Sequence, residues 1–495
     1  MSLINIADLT FGYDGSAENV FENVSLDLDT AWRLGLTGRN GRGKTTLLRL
    51  LSGELEHRGK ITAQVDFEHF PYPADADMLT VDVIREKAPA APDWEISREI
   101  SLLEAENGIL WRPFGTLSGG EQTKALLAAL FLRENSFLLI DEPTNHLDAH
   151  ARSVLGKYLR RKSGFILVSH DRAFLDEAVD HILVINRRNI ELQNGNFSSW
   201  YQNKLDRDNF ERSENEKLKR EIKQLEAAAD KAARHSEKVA ATKIGFDPVK
   251  TEKSLTRRDS IAKKARKLMN RAKCMEARVE RDIEAKSALL RNIDEAEELK
   301  LSPLKYHGGV TARIEKITLE LGGRELFGGL SFDVRQGERV ALCGQNGCGK
   351  TTLIRMLTGD IAPDSGTAAL SSGVKISVVS QSDGELCGTL NDYAEKCGVD
   401  VSLFFAILRK LDLPRELFTR RTESFSAGQR KKAMIARSLS QRAHLYIWDE
   451  PLNYIDVISR MQIERLLTSS DITMIFTEHD RDFTEKVATK RIELA

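Results

Sequence analysis

Two segments of the chain have the residue types and spacing that hold a phosphate chain. GRNGRGKTT runs from Gly38 to Thr46 and GQNGCGKTT from Gly344 to Thr352. Glycines (Gly38, Gly41 and Gly43; Gly344, Gly347 and Gly349) let backbone N–H groups wrap phosphate oxygens at a helix N-terminus, with Asn40 and Asn346 in the same loops. Lys44 and Lys350 reach β- and γ-phosphates, and the hydroxyls of Thr45 and Thr351, followed by Thr46 and Thr352, suit Mg2+.

Further along, FLLIDE and LYIWDE read as buried parallel strands ending in two carboxylates. The first of each pair, Asp141 or Asp449, suits Mg2+ through water, and the second, Glu142 or Glu450, suits a general base on an attacking water. His170 and His479 follow short apolar strands (FILVS; TMIFT) and suit a γ-phosphate sensor. LSGGE, with Ser118, Gly119 and Gly120, and FSAGQ, with Ser426 and Gly428, lead into helices. Their amides and serine hydroxyls suit a γ-phosphate, although a serine helix cap explains them locally as well.

The elements that position these residues also occur twice. Apolar β-like runs (Arg33–Leu36; Arg339–Leu342) precede each loop and helical runs (Leu47–Leu51; Leu353–Leu357) follow it. The loops repeat at an offset of 306, the Ser-Gly motifs and Asp-Glu strands at 308, and the histidines at 309. Four motifs in one order at one spacing mean a duplicated domain. The predicted fold class is α/β, with two tandem P-loop domains at residues 1–200 and 306–495 joined by a helical hairpin at residues 201–305.

Composition agrees with a large cored protein. The 495 residues are 41% apolar and 30% charged, so wholesale disorder is excluded. No apolar run approaches the ~18 residues of a membrane span. The N-terminus shows no basic start followed by an apolar core, and the five cysteines include no CxxC, so reduced thiols in a cytosol are expected. The net charge is −1, with 73 Lys and Arg against 74 Asp and Glu. This balance hides a dipole: Lys231–Lys273 holds 14 basic against 4 acidic residues. Such a concentration points to an anionic partner.

That basic stretch lies in the middle segment. From about Trp200 to Thr242 good helix formers dominate, Gly245–Pro248 interrupts them, and a second helical run follows from about Asp259 to Glu298. Leu268, Met275, Val279, Ile283, Leu290 and Ile293 give the second run a coiled-coil-like seam. Two helices of about 40 residues form a hairpin with a reach of roughly 60 Å. Its cationic end suits RNA phosphates, through Lys243, Lys250, Lys253, Arg257, Arg258, Lys263, Lys264, Arg266 and Lys267. Phe246 at the breaker suits stacking on a base or a buried staple closing the hairpin equally well.

Taken together, the phosphate loops, LSGGE/FSAGQ, the Asp-Glu strands and the histidines resemble the ATP-binding cassette (ABC) family, over about four fifths of the chain. The resemblance implies head-to-tail pairing of the cassettes within a monomer, with two ATP sandwiched so that Lys44 faces Ser426 and Lys350 faces Ser118. EPTNHLD at Glu142–Asp148, the tandem cassettes and the charged linker resemble the ABC-F subfamily, and the opening MSLINIADLTFGYDG and GRNGRGKTT are similar to its Lsa-type resistance branch. This implies a cytoplasmic, ribosome-associated ATPase using ATP and Mg2+. Its hairpin would enter the E site of the 70S ribosome, contact 23S rRNA and P-site tRNA, and displace lincosamides, pleuromutilins and group A streptogramins. A translation factor without a resistance role and the ATPase subunit of an exporter are the alternatives.

Two departures from the family pattern stand out. The resemblance gives Gln381 a contact with Mg2+ and the attacking water, yet Tyr72 occupies the matching place in the first cassette, so that site is expected to bind ATP differently or turn over more slowly. Tyr13 suits stacking on adenine, whereas its counterpart is Leu321.

Overall fold

The computed structural model describes residues 2–14, 19–145, 147–186, 189–241, 266–267, 278, 301–321, 324–345, 347–381 and 386–494. Lys243, Phe246, Lys250, Lys253, Arg257, Arg258, Lys263, Lys264 and Asn346 lie outside these residues, as do the Gly245–Pro248 breaker and nearly all of the second linker helix.

The duplication read from the motifs is a duplication of strand order. Among the described residues, the first cassette has a sheet ordered Asp66–Phe70, Ser136–Asp141, Phe165–Val168, Arg33–Gly38, His181–Ile185 and Ile190–Asn194. All neighbours are parallel except the last pair. The second cassette repeats the order with Ile376–Val379, Leu445–Asp449, Met474–Thr477, Arg339–Cys343 and Lys490–Glu493, all parallel. Each cassette adds an antiparallel sheet, Phe21–Asp29 with Leu3–Phe11 and Arg58–Thr62 in the first, Arg324–Arg335 with Val310–Leu321 and Ser365–Leu370 in the second. Helices on both faces bury these strands, which explains why the central ones are nearly continuous apolar runs.

The cores follow from that layering. In the first cassette Leu34, Leu36, Leu139, Ile166, Val168 and Leu183 pack on Leu47 and Leu48 of the helix Lys44–Leu51. In the second, Val340, Leu342, Leu445, Ile447 and Ile475 pack on Leu353 and Ile354 of the helix Lys350–Thr358. On the opposite face of the second sheet, Trp448 and Phe476 pack with Phe404, Ile435 and Phe483.

Both phosphate-loop helices start after a left-handed glycine, Gly43 at φ 94° and Gly349 at φ 97°. A Cβ there would meet the Phe21 ring at 2.9 Å or the Phe327 ring at 2.7 Å. Glycine therefore satisfies both the backbone conformation and the close approach of the antiparallel sheet.

The two cassettes, residues 1–200 and 298–495, form one contact unit, and Tyr201–Glu297 forms another. Within the second unit, the helix Phe197–Ala241 continues from the first cassette as 45 residues, about 68 Å of rise. Arg266 and Lys267 are helical and exposed. No described helix is long and apolar enough to cross a membrane.

Candidate active site

Parallel sheets place loops at the carboxyl ends of their strands, and the phosphate loops lie there. In the first cassette this produces a cavity of about 640 Å³ lined by Tyr13, Asn40, Lys44, Thr45, Asp141, Glu142 and His170, among others. Residues far apart in sequence thus meet in one cradle. Lys44 is buried, and its Nζ donates to Gly38 O at 2.9 Å and to Asn40 Oδ1 at 3.2 Å. Burial lowers its pKa, against the attraction of Asp456, Glu142 and Asp141. Thr45 Oγ1 donates to Asp141 Oδ2 at 3.0 Å. Tyr13 lies half exposed at the mouth, its ring edge-on to Phe11 and its hydroxyl 2.9 Å from Thr46 Oγ1.

The second cradle repeats the arrangement. Lys350 is buried, and its Nζ donates to Gly344 O at 2.8 Å and Gln345 O at 2.9 Å. Asp449 accepts from Thr477 Oγ1 at 2.7 Å. Thr351 and Thr352 begin the helix, as Thr45 and Thr46 do.

Glu142 and Glu450 share a strained backbone, at φ 50° and 45°. Left-handed glutamates are uncommon and persist only where the surroundings over-determine them. Their side chains are similarly exposed, 20% and 18%, and each faces a histidine, His170 Nε2 at 3.3 Å from Glu142 and His479 Nε2 at 3.4 Å from Glu450. The resemblance ends there. Glu450 also accepts from Gln381 Nε2 at 3.1 Å and Asn453 Nδ2 at 2.8 Å. Its carboxyl is held below the ordinary value, chiefly by His479. Burial beside Asp141 pushes Glu142 the other way, upward. Tyr72 supplies no substitute for Gln381: its ring lies under Lys87 Nζ at 4.8 Å, and its buried hydroxyl has no hydrogen-bond partner among the described residues. Burial holds His170 well below its ordinary value, with Lys44 and Arg460 adding to the effect, so it is neutral at pH 7.

Ser118 and Ser426 each cap a helix, Gly119–Phe131 and Ala427–Ser440, through a capping box closed by Glu121 and Gln429. The local explanation therefore holds, and it coexists with a second feature. Gly428 is closed in from both cassettes: a Cβ there would collide with the Tyr454 carbonyl oxygen of its own cassette and come within 3.0 Å of Asn40 Nδ2 of the first. Asn40 Nδ2 donates to that carbonyl at 2.7 Å.

Several residues that face the first cradle were not singled out by motif. Arg39 pairs with Asp412 of the second cassette. Asp456 and Arg460, also from the second cassette, are near enough to act electrostatically on Lys44, Glu142 and His170. Within the second cassette, Glu478 stands where the first has Ser169 and accepts from Leu452 N–H at 2.7 Å. One signal was present in the sequence: Arg39 stands where the repeated loop has Gln345.

A family model described as ABC transporter matches residues 21–145 and 327–453, slightly more than half of the chain. The chain belongs to the ATP-binding cassette family. Within this family its relatives place it among the ABC-F ATPases. It is similar to the ribosome protection protein VmlR of Bacillus subtilis, with 28% identity over 98% of this chain and 85% of that protein. It is 25% identical to the energy-dependent translational throttle protein EttA of Escherichia coli over 95% of this chain and 88% of that protein. Among solved structures, the RNase-L inhibitor matches with a TM-score of 0.63 at 19% identity, covering 98% of this chain and 87% of that one, a likeness of fold. ABC cassettes bind and hydrolyse ATP, and this chain is an ATPase.

Proposed function

We propose that this ABC-F protein is a ribosome-binding ATPase that protects the large subunit from lincosamides, pleuromutilins and group A streptogramins. The observation that carries this reading is the similarity to VmlR over 98% of this chain, linker included, and 85% of that protein. In this reading residues 1–200 and 306–495 are the two motor domains, and residues 201–305 are the part that meets rRNA and P-site tRNA in the E site.

The cradles fit ATP. Each offers a glycine-rich turn at a helix N-terminus and a buried lysine, and the first sets the Thr45 hydroxyl beside Asp141. Lys44 and Lys350 would hold the terminal phosphates, and Ser118, Gly119, Gly120, Ser426 and Gly428 would meet them from the opposite cassette. Thr45 with Asp141, and Thr351 with Asp449 and Gln381, fit Mg2+, which when bound supplies charge neutralisation at the phosphates. Glu142 and Glu450 orient the attacking water and take its proton, with His170 and His479 fixing each carboxylate from one side. ATP joins the cassettes, and hydrolysis lets them part. Arg266 and Lys267, exposed on the linker, are the described members of the basic set that would meet RNA phosphates.

Similarity to EttA favours a second reading, a translation factor with the same motor and no resistance role. Cell-free translation challenged with lincomycin, tiamulin or virginiamycin M separates the two. Restored synthesis with the purified protein and ATP supports protection. Synthesis that stays inhibited, with the protein still bound to ribosomes, supports the second reading.

A further inference from the structure

The first phosphate loop grips the opposite cassette through two side chains. In the first loop, the Arg39 guanidinium pairs with the Asp412 carboxylate of the second cassette. Next to it, Asn40 Nδ2 donates to Tyr454 O, also of the second cassette, at 2.7 Å. One loop therefore holds two different segments of its partner, the turn at Asp412 and the segment that follows Glu450.

The Asp412 turn is well anchored. Asp412 follows the helix Val401–Lys410, at φ 55°, with its N–H donating to Arg409 O at 3.0 Å. The carbonyl of the preceding Leu411 accepts from Lys432 Nζ at 2.9 Å and from Ser459 Oγ at 3.3 Å. Lys432 is buried and pairs with the buried Asp456 at 2.8 Å. Arg39 thus reaches a carboxylate whose backbone is tied to an interior ion pair.

The duplication supplies an internal control. The counterpart of Arg39 is Gln345 and the counterpart of Asp412 is Glu104. Glutamine carries no charge to pair across the interface. Glu104 Oε2 instead meets His150 Nε2 of its own cassette at 3.2 Å.

We infer that Arg39 and Asp412 are positioning residues that latch the nucleotide site around Lys44, so that the site around Lys350 opens first and exchanges nucleotide faster. The inference rests on the ATP reading of both cradles and adds an order of opening to it. Both side chains are partly exposed, at 29% and 25%, so the latch is weakened by salt.

Stopped-flow release of a fluorescent ADP from the full chain tests it. Two phases are expected, with the slow one lost in Lys44→Ala and the fast one lost in Lys350→Ala. Arg39→Gln should accelerate the slow phase about fivefold and leave the fast phase unchanged, in line with a charge pair at an interface. Arg39→Lys should restore part of the delay, and Gln345→Arg should slow the fast phase, because Glu104 then faces a cation. Raising the salt concentration should accelerate the slow phase of the unaltered protein and not that of Arg39→Gln. A single phase in the unaltered protein, or a slow phase indifferent to Arg39→Gln, overturns the latch while leaving ATP binding intact. Loss of neither phase in the two lysine variants overturns the ATP reading itself. Circular dichroism melting of each variant separates these outcomes from misfolding.

Discussion

Arg172 of the first cassette donates from Nη2 to Glu464 Oε2 of the second at 2.6 Å, and both side chains are buried. The duplication offers no second copy of this pair: Arg481, the counterpart of Arg172, is exposed and pairs with Glu485, and the counterpart of Glu464 is Gly156. The cassettes are therefore fastened asymmetrically by ion pairs outside the Ser-Gly motifs. Among the described residues, removing Arg172 leaves the buried Glu464 only Lys486 Nζ at 3.3 Å, and removing Glu464 leaves Arg172 only Asp482 at 3.8 Å, whereas replacing both removes the two buried charges together. Arg172→Ala should weaken cassette pairing by about 3 kcal/mol. Calorimetry should show an earlier first transition, largely restored in Arg172→Met/Glu464→Leu. An unchanged first transition would show that the pair contributes nothing.

The opposite environments of Glu142 and Glu450 give opposite stability effects for one substitution. Burial, with Asp141 alongside, raises the cost of charging Glu142, so Glu142→Gln removes that cost. Glu450 is held charged by His479, Gln381 and Asn453, so Glu450→Gln removes an attraction. Without nucleotide, the first variant should melt a few degrees higher and the second lower. ATP turnover should fall about 100-fold or more when both are changed, the range for loss of a general base.

Gly428 and Gly120 occupy equivalent places, yet alanine should affect them differently. At Gly428 the new methyl runs into the Tyr454 backbone carbonyl and Asn40. At Gly120 it meets Leu147 Cδ2 at 3.3 Å, the end of a side chain that can turn away. Gly428→Ala should cut ATP turnover at least tenfold and Gly120→Ala less than threefold, since overpacking against fixed backbone costs about 1–3 kcal/mol. Equal losses would show that Tyr454 and Asn40 confine Gly428 no more tightly than Leu147 confines Gly120.

A buried carboxylate in the first cassette sets an acid limit on its stability. Glu99 is almost fully buried, and Tyr158 Oη and Lys162 Nζ each donate to its Oε2 at 2.6 Å. Burial alone would raise its pKa, but these donors outweigh it and hold the carboxyl below its ordinary value. The folded state thus binds the proton less readily than the unfolded chain, and stability rises with pH through that window. The contribution is complete above the ordinary carboxyl value of about 4.3 and fades as pH falls below it toward the depressed folded value. Glu99→Gln should cost about 2 kcal/mol at pH 7, with a smaller difference near pH 3.5, measured as urea midpoints.

Much of this architecture was legible because the duplication prints each motif twice. The strand ends at Asp141 and Asp449, the loop lysines and the helix-starting serines are local patterns, set by apolar periodicity and glycine. Tyr72 was legible as a departure, and the structure adds where its ring goes, under Lys87 rather than toward Glu142. The partners Asp412, Tyr454, Asp456, Arg460 and Glu464 were not legible. Their roles depend on which surface of the second cassette meets the first, and that is settled by tertiary packing between residues separated by hundreds of positions. Glu99 escaped notice for a related reason: a glutamate on an amphipathic helix reads as solvated until Tyr158 and Lys162 are brought beside it.

The central claim is that ATP-driven pairing of the cassettes secures the linker on the ribosome. Co-sedimentation of the Glu142→Gln/Glu450→Gln protein with 70S ribosomes, with and without ATP at moderate salt, tests it most directly. The account predicts that ATP carries most of the protein into the ribosomal pellet and that its omission leaves the protein in the supernatant. Equal amounts in the pellet under both conditions, or none in either, would contradict it.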